Sequence, residues 1–448
     1  MMHNGSSRIS RRELIRAATA VGAFYVVPRH VLAGGGPAPS DKLNIACIGV
    51  GGRGGAQVDG CKGENIVAMV DVDERRVGDT YNRFPAAKKY TDFRKMFDEM
   101  EDQIDAVCVS TPDHTHAVAS MAALKRKKHL YCEKPLAHSI YEIRALMAEA
   151  RKQNVVTQLG NQGHSFPDIR RFCEWIWDGA IGKVTEVHAA CSANHCRIRQ
   201  LSRRNEDHPI PKELDWDLWL GPAKMRKYNP MYLPGSWRAW IPFGSGTIGD
   251  WVCHVVDPVF WALDLGSPKT IVANAKDYDP VAHADTFPAG SIIEFEFAAK
   301  GDRGPVKLTW FDGTEPIPQP KDLEPGRKPP QTGAVVFGDR GAIQYGSHGA
   351  GGCRIFPETK MKEYKLPAET IARVPGHHQD WLRAIKTGGR AGSNFDYGGP
   401  LTELARLGII ATQMLGTKLQ WDGQAGRFTN NDEANKYLNP PCRPGWEL

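Results

Sequence analysis

The sequence predicts an α/β fold in two parts: a doubly wound parallel sheet over residues 34–158, then a longer domain over residues 159–448 built on a mixed or antiparallel sheet. Three observations predict it. Apolar strand-like runs alternate with helical stretches from Leu43 to Gln158, a pattern that requires a parallel sheet covered on both faces. A glycine triplet directly follows the first of those runs. Beyond Gly160 the strands succeed one another, several with period-two alternation, without a helix between each pair.

Residues 1–33 stand outside both parts. Ser10, Arg11, Arg12, Glu13, Leu14 and Ile15 form a twin-arginine pattern, the weakly apolar Ala17 to Val27 follows, and Val31, Leu32 and Ala33 make a small-residue site with cleavage expected after Ala33. The expected mature protein is soluble, periplasmic and exported already folded. No later segment is apolar enough to span a bilayer, so no membrane partner is expected once the leader is removed. The chain holds 57 Lys and Arg against 51 Asp and Glu, and the leader contains five Arg and one Glu, which leaves 52 against 50. That near-neutral balance gives no reason to expect nucleic acid as a partner. The ten cysteines show no paired metal spacing, and a chain this long buries a large core without staples, so mostly free or locally paired thiols are expected.

The run Leu43 to Ile48 ends in Gly49, Gly51 and Gly54 at G-x-G-x-x-G spacing, with Gly52 and Arg53 inside the turn. Gly49 makes a tight turn, Gly51 lets the backbone approach a pyrophosphate, and Gly54 lets the following helix pack on the strand. The helix N-terminus then offers free N–H groups to phosphates. A second run, Ile66 to Val70, ends about twenty residues on in Asp71, where a carboxylate can bond ribose hydroxyls. Together these features predict a dinucleotide. Asp71 favours NAD by repelling a ribose 2′-phosphate, while Arg75 and Arg76 leave NADP open.

The third run, Ala106 to Ser110, leads into Ser110, Thr111, Pro112, Asp113, His114, Thr115 and His116, at the rim where that dinucleotide would lie. A helix over Ala117 to Lys125 follows, then a strand over His129 to Cys132 that ends in Glu133, Lys134 and Pro135. Two strand ends thus bring a His-rich turn and a lysine to one crevice. Tyr131, Cys132, Pro135 and Leu136 around Lys134 predict a partly buried ammonium, whose pKa burial and a cationic nicotinamide would depress towards acid–base use. A helix over Ile140 to Gln153 and a strand over Val155 to Leu159 complete the first part.

In the second part, Val184 to Ala193, Thr270 to Ala275, Ser291 to Ala298, Val306 to Phe311 and Ala334 to Phe337 read as strands. Trp216, Trp219, Tyr228, Tyr232, Trp237 and Trp240 crowd its beginning as core or interface, with Trp240 a candidate to stack on a sugar ring. A helical segment carries Asp250, His254 and Asp257 at i, i+4 and i+7 on one polar stripe, and Pro258 predicts a bend by freeing the carbonyl of His254. Asp250, His254, His114 and His116 are possible zinc ligands, but no spacing demands a metal and none is expected. Thr314 to Thr332 reads as a surface excursion or contact arm, Leu401 to Leu415 as an amphipathic helix, and Asn430 to Leu448 as a tail that wraps over a neighbour.

The ordered set Gly49-Val50-Gly51-Gly52-Arg53-Gly54, Ser110 to His116, Glu133-Lys134-Pro135 and Asp250 to His254 resembles the glucose-fructose oxidoreductase, inositol dehydrogenase and rhizopine catabolism family. The resemblance covers essentially the whole chain after the leader. It implies a Rossmann domain joined to a larger domain whose open, mostly antiparallel sheet also forms oligomer contacts, a homodimer or tetramer. It further implies that Lys134, Asp250 and His254 line the substrate site. The stretch Gly160, Asn161, Gln162, Gly163 and His164 departs from better-known members and leaves the substrate open.

On this basis a sugar or polyol hydroxyl is oxidised by hydride transfer to nicotinamide. His254 is expected to take the hydroxyl proton, Asp250 to orient and charge His254, and Lys134 to hydrogen-bond the developing alkoxide, with the base role open to sharing or exchange between His254 and Lys134; Gln162, His164 and Trp240 are expected to hold the ring. Export implies a tightly held cofactor that is recycled on the enzyme. Reduction of a second sugar would achieve this, and so would a glycosidase or epimerase cycle of transient oxidation, elimination and re-reduction. A sugar-binding protein with a vestigial nucleotide fold is the non-catalytic alternative, and it predicts that Lys134 and His254 face different cavities.

Overall fold

A computed structural model describes residues 41–448; the leader expected over 1–33 lies outside the described residues. β1 (Asn44–Ile48), β2 (Asn65–Val70), β3 (Lys88–Tyr90), β4 (Ala106–Val109), β5 (His129–Glu133) and β6 (Thr157–Gly160) form an all-parallel sheet in the order β3-β2-β1-β4-β5-β6. The central pair β1 and β4 is buried on both faces, which is why Ile45 to Ile48 and Ala106 to Val109 are uninterrupted apolar runs. Strand order reverses between them. A crevice therefore opens beyond their carboxyl ends, where Gly49 and Ser110 begin their turns. Ser139 starts the helix Ile140–Gln153 by accepting from the Glu142 N–H, and Asn154 ends it in the left-handed region.

The second sheet takes nine strands: β7 (Val184–Cys191), β8 (Thr270–Ala275), β9 (Gly290–Phe297), β10 (Val306–Gly313), β11 (Thr332–Gly338), β12 (Gly341–Gly346), β13 (Arg354–Phe356), β14 (Leu419–Asp422) and β15 (Arg427–Phe428). Their order is β13-β12-β11-β7-β10-β9-β8-β14-β15, and every neighbouring pair is antiparallel except β7 with β10. Side chains alternate between faces: Leu308 and Trp310 of β10 enter the main core, while Phe311 points to the other side with Val335 and Phe356. The proline-rich stretch 314–332 covers that other side, inserting Ile317 and Leu323. Read from sequence as an excursion, it is a cover for its own sheet.

Both sheets belong to one body, residues 44–448, and the helix Phe395–Gln413 joins them. Gly398 packs on Leu159 of β6, Gly399 on Met147, and Gly408 on Ile248 and Phe295, positions where a Cβ would collide. The helix begins earlier than the expected Leu401 because Asn394 caps it and the glycines serve close packing. Pro400 inside it removes one intrahelical bond. The tail expected to wrap over a neighbour packs on its own chain through Arg443 and Trp446. All ten cysteines are unbridged, and seven of them are buried. No helix among the described residues is long and apolar enough to cross a membrane.

Candidate active site

The glycine turn is shaped for close approach. Gly49 has φ +79°, and a Cβ there would lie 2.8 Å from the carbonyl of Ser110; a Cβ on Gly54 would collide with the carbonyl oxygen of Gly49. Gly52, at φ +56°, precedes the helix Arg53–Gly60. Asp71 Oδ2 accepts from the N–H groups of Val50 (2.9 Å) and Gly51 (3.0 Å), and Oδ1 from that of Asp73 (3.1 Å), so the acid also braces the turn. Burial pushes its carboxyl up while those amides oppose the shift. Arg75 is tied to Asp73 by two bonds of 2.7 Å, whereas Arg76 lies beside Gly52.

From this turn a cavity of about 620 Å³ runs to Lys134, Asp250 and His254. Its rim at the β4 end carries the hydroxyls of Ser110 and Thr111, both buried with no hydrogen-bond partner. Side-chain-free glycines, a carboxylate at ribose distance along the chain and two unpaired hydroxyls fit a dinucleotide.

His116 locks the turns after β4 and β5 together. Its ring nitrogens lie 2.8 Å from the carbonyl oxygens of Thr111 and Pro135. Carbonyls only accept, so both bonds require an imidazolium. Burial works against that charge, but Cys132, Asp113 and the Pro135 carbonyl lift the group to about 9. His114, expected at the cofactor, does not line the cavity: it is wedged between Trp219 and Phe243, its Nε2 2.9 Å from the Trp219 carbonyl, and burial lowers it to about 4.

Lys134 and Asp250 meet at the far end. Lys134 Nζ donates to Asp250 Oδ1 at 2.5 Å and to its backbone carbonyl at 3.0 Å, and Arg238 Nε donates to the same Oδ1 at 3.0 Å. Burial alone would raise the Asp250 carboxyl, but these two cations reverse the effect and hold it below the ordinary carboxylate range. His195 Nε2 lies 4.0 Å from Asp250 Oδ2, and its Nδ1 is 3.0 Å from the Thr247 hydroxyl. Glu133 accepts from Gln57 and, at 2.8 Å, from Gln162.

The expected Asp250–His254 partnership takes a different form. Both sit on the helix Gly246–Val255, but the carboxylate turns to Lys134 and Arg238. His254 instead stacks on His348 with ring centroids 4.1 Å apart, and its Nδ1 is buried without a partner. Burial, then the charge of Lys134, holds this imidazole well below its usual value and therefore neutral. Asp257 leaves the predicted stripe, because the helix breaks at Val256 before Pro258. It turns inward to His164 (3.0 Å), Asn161 (3.1 Å) and Tyr397 (2.5 Å).

That inward network also removes His164 from the substrate list, since it is buried away from the cavity; Gln162 does line it. Trp240 is 0% exposed and packs on Tyr232 at 5.1 Å, so it offers no face to a ring. Phe166, 45% exposed, lines the cavity together with Trp237 and Trp251. Phe166, Arg238, His195 and His348 were not found by sequence reasoning. Only His348 carried a local signal, the glycine-rich run Gly346 to Gly352. Gly163 explains its approach: a Cβ there would lie 2.5 Å from the His348 carbonyl carbon.

Comparison with known proteins identifies the family and the fold. The Gfo/Idh/MocA oxidoreductase family's model of its NAD-binding Rossmann fold matches residues 43–161, and that of its C-terminal alpha/beta domain matches residues 192–298. An inositol 2-dehydrogenase of Rubrobacter xylanophilus is 32% identical over 32% of this chain and 42% of its own length. A levoglucosan dehydrogenase of Pseudarthrobacter phenanthrenivorans is 28% identical over 54% and 52%. The chain thus spans about half or less of these curated relatives. The solved inositol dehydrogenase homolog of Azotobacter vinelandii, complexed with NADH and myo-inositol, shares the fold with a TM-score of 0.56 and 15% identity, covering 85% of this chain and 98% of that one.

Proposed function

The chain belongs to the Gfo/Idh/MocA family of NAD-binding oxidoreductases, and from that premise we propose that it oxidises a CH–OH group of a sugar, polyol or glycoside. One observation carries the proposal: Lys134, from the end of β5, and His254, from the helix Gly246–Val255, line the same cavity as the glycine turn. The non-catalytic reading needs them apart. Bound nicotinamide supplies the hydride acceptor. His254, neutral and lining the cavity, accepts the hydroxyl proton. Lys134, steered by the Asp250 carboxylate, donates a hydrogen bond to the oxygen as negative charge grows on it. Gln162 and the exposed face of Phe166 contact the ring.

Relatives that are inositol and levoglucosan dehydrogenases support a polyhydroxylated substrate. Asp71 supports NAD over NADP, with Arg76, beside Gly52, placed to offset it while Arg75 is held by Asp73. The twin-arginine pattern supports a periplasmic enzyme that keeps its cofactor through many turnovers, and the family resemblance supports a homo-oligomer. A second reading, a redox-neutral glycosidase or epimerase, is favoured by one feature: the second imidazole, His348, gives the site two neutral acid–base groups 4.1 Å apart. Incubating the as-purified protein with a panel of sugars while following near-ultraviolet absorbance tests the proposal. Net NADH formation supports the dehydrogenase, release of nitrophenol from a nitrophenyl glycoside without net NADH supports the second reading, and neither signal with any sugar rejects both.

A further inference from the structure

The cleft extends well past its chemical end. β2 and β5 flank the central pair β1 and β4, so Asp71 and Lys134 stand on opposite sides of the glycine turn. Asp71 marks the ribose of the adenosine half, and beyond it the cavity continues to Thr91 and Phe93, after β3, and to Trp446. Trp446 comes from the last six residues, outside both family-matched regions.

It is 8% exposed and held from two directions. Its ring meets Phe93 edge-on at 6.3 Å, and the guanidinium of Arg94 lies 4.4 Å from the ring centre. Arg443 anchors the segment to the other wall: Nη1 donates to Asp217 Oδ1 at 2.6 Å, Nη2 to the Asp217 carbonyl at 3.0 Å, and the backbone N–H to the Pro222 carbonyl at 2.9 Å. The indole also lies beside Gly221, whose φ of +50° and closeness to Thr115, 2.9 Å from where a Cβ would stand, call for glycine. The segment therefore bridges Asp217–Pro222 on one side and Phe93–Arg94 on the other.

We propose that Arg443–Leu448 is a strap that retains the dinucleotide: Trp446 forms the wall against the adenine, and release requires the strap to lift. This rests on the NAD-binding reading. It accounts for an aromatic residue that the chemical end of the site does not use, and it supplies a physical basis for a cofactor that stays bound.

The test is NADH release from the loaded protein, followed by nicotinamide fluorescence after adding excess NAD, with ADP affinity as a probe of the adenosine end. Trp446→Ala and Arg443→Ala should each release NADH about tenfold faster and bind ADP about tenfold more weakly, the loss expected for one large buried contact. Trp446→Phe should stay within about threefold of wild type. Where Trp446→Ala does not fold, Arg443→Ala decides. Wild-type release rates and ADP affinity in Arg443→Ala or in folded Trp446→Ala overturn the strap while leaving the cofactor assignment intact. A wild-type protein that binds neither NADH nor ADP overturns the cofactor assignment itself, and the strap with it.

Discussion

Asp250 is the pivot of the charge pattern, because both Lys134 and Arg238 donate to one of its oxygens. Its folded pKa lies below its unfolded one, so the stability it confers is present above the ordinary carboxylate range and is lost as pH falls through the folded value. Replacing Lys134 with Ala should lower kcat by about 10²–10³-fold, the loss typical of one electrostatic donor, with NADH affinity within about threefold of wild type; stopped-flow turnover with binding titrations measures both. Asp312 in β10 is the opposite case, since burial lifts it from 3.8 to about 7. A raised carboxyl favours folding below its unfolded pKa and loses that advantage as pH rises towards the folded value. Asp312→Asn should therefore gain on wild type between about pH 4 and about pH 8, by about 2–4 kcal/mol, in urea melts at both ends. Lys134, Asp250 and His254 were legible in sequence because short spacing within one strand end or one helix turn fixes which residues share a place. Arg238, His195 and His348 were not, since they reach the site from three separate segments, the short 3-10 turn Ser236–Ala239 and two loops, whose paths depend on packing. Trp240 and Phe166 mark a further limit: aromatic identity alone does not distinguish a ring buried in a cluster from one facing a cavity.

The loop 347–349 owes its position to Gly163 and Gly349, which interlock so closely that neither has room for a Cβ. Gly163→Ala should displace His348, lowering turnover about tenfold or more while NADH affinity changes by less than about twofold; comparing kcat with a fluorescence titration separates the two effects. The parallel strands were readable because burial on both faces writes a continuous apolar run. β3 and β12 to β15 were missed for physical reasons. Lys88 and Lys89 at the edge of the first sheet are exposed, and the glycines bounding β12 read as turn residues. The helix Phe395–Gln413 was half legible: its apolar C-terminal run is periodic, but Gly398, Gly399 and Pro400 resemble a breaker until the neighbouring Leu159 and Met147 are seen.

Across the whole molecule, the cavity takes residues from both sheets' territories, and the helix Phe395–Gln413 packs against both. Ligand binding should accordingly stabilise the described body as a unit. Adding NAD at about one hundred times its Kd should contribute about 2.7 kcal/mol and move a single calorimetric transition upward. Two transitions, of which only one moves, would show that the sheets unfold independently. Lastly, the ten thiols include seven in the interior, and none is bridged. Such a chain reaches its final shape without an oxidant. Folding, and the seating of residues 443–448 against Asp217 and Phe93, can therefore be completed in a reducing compartment as readily as in an oxidising one.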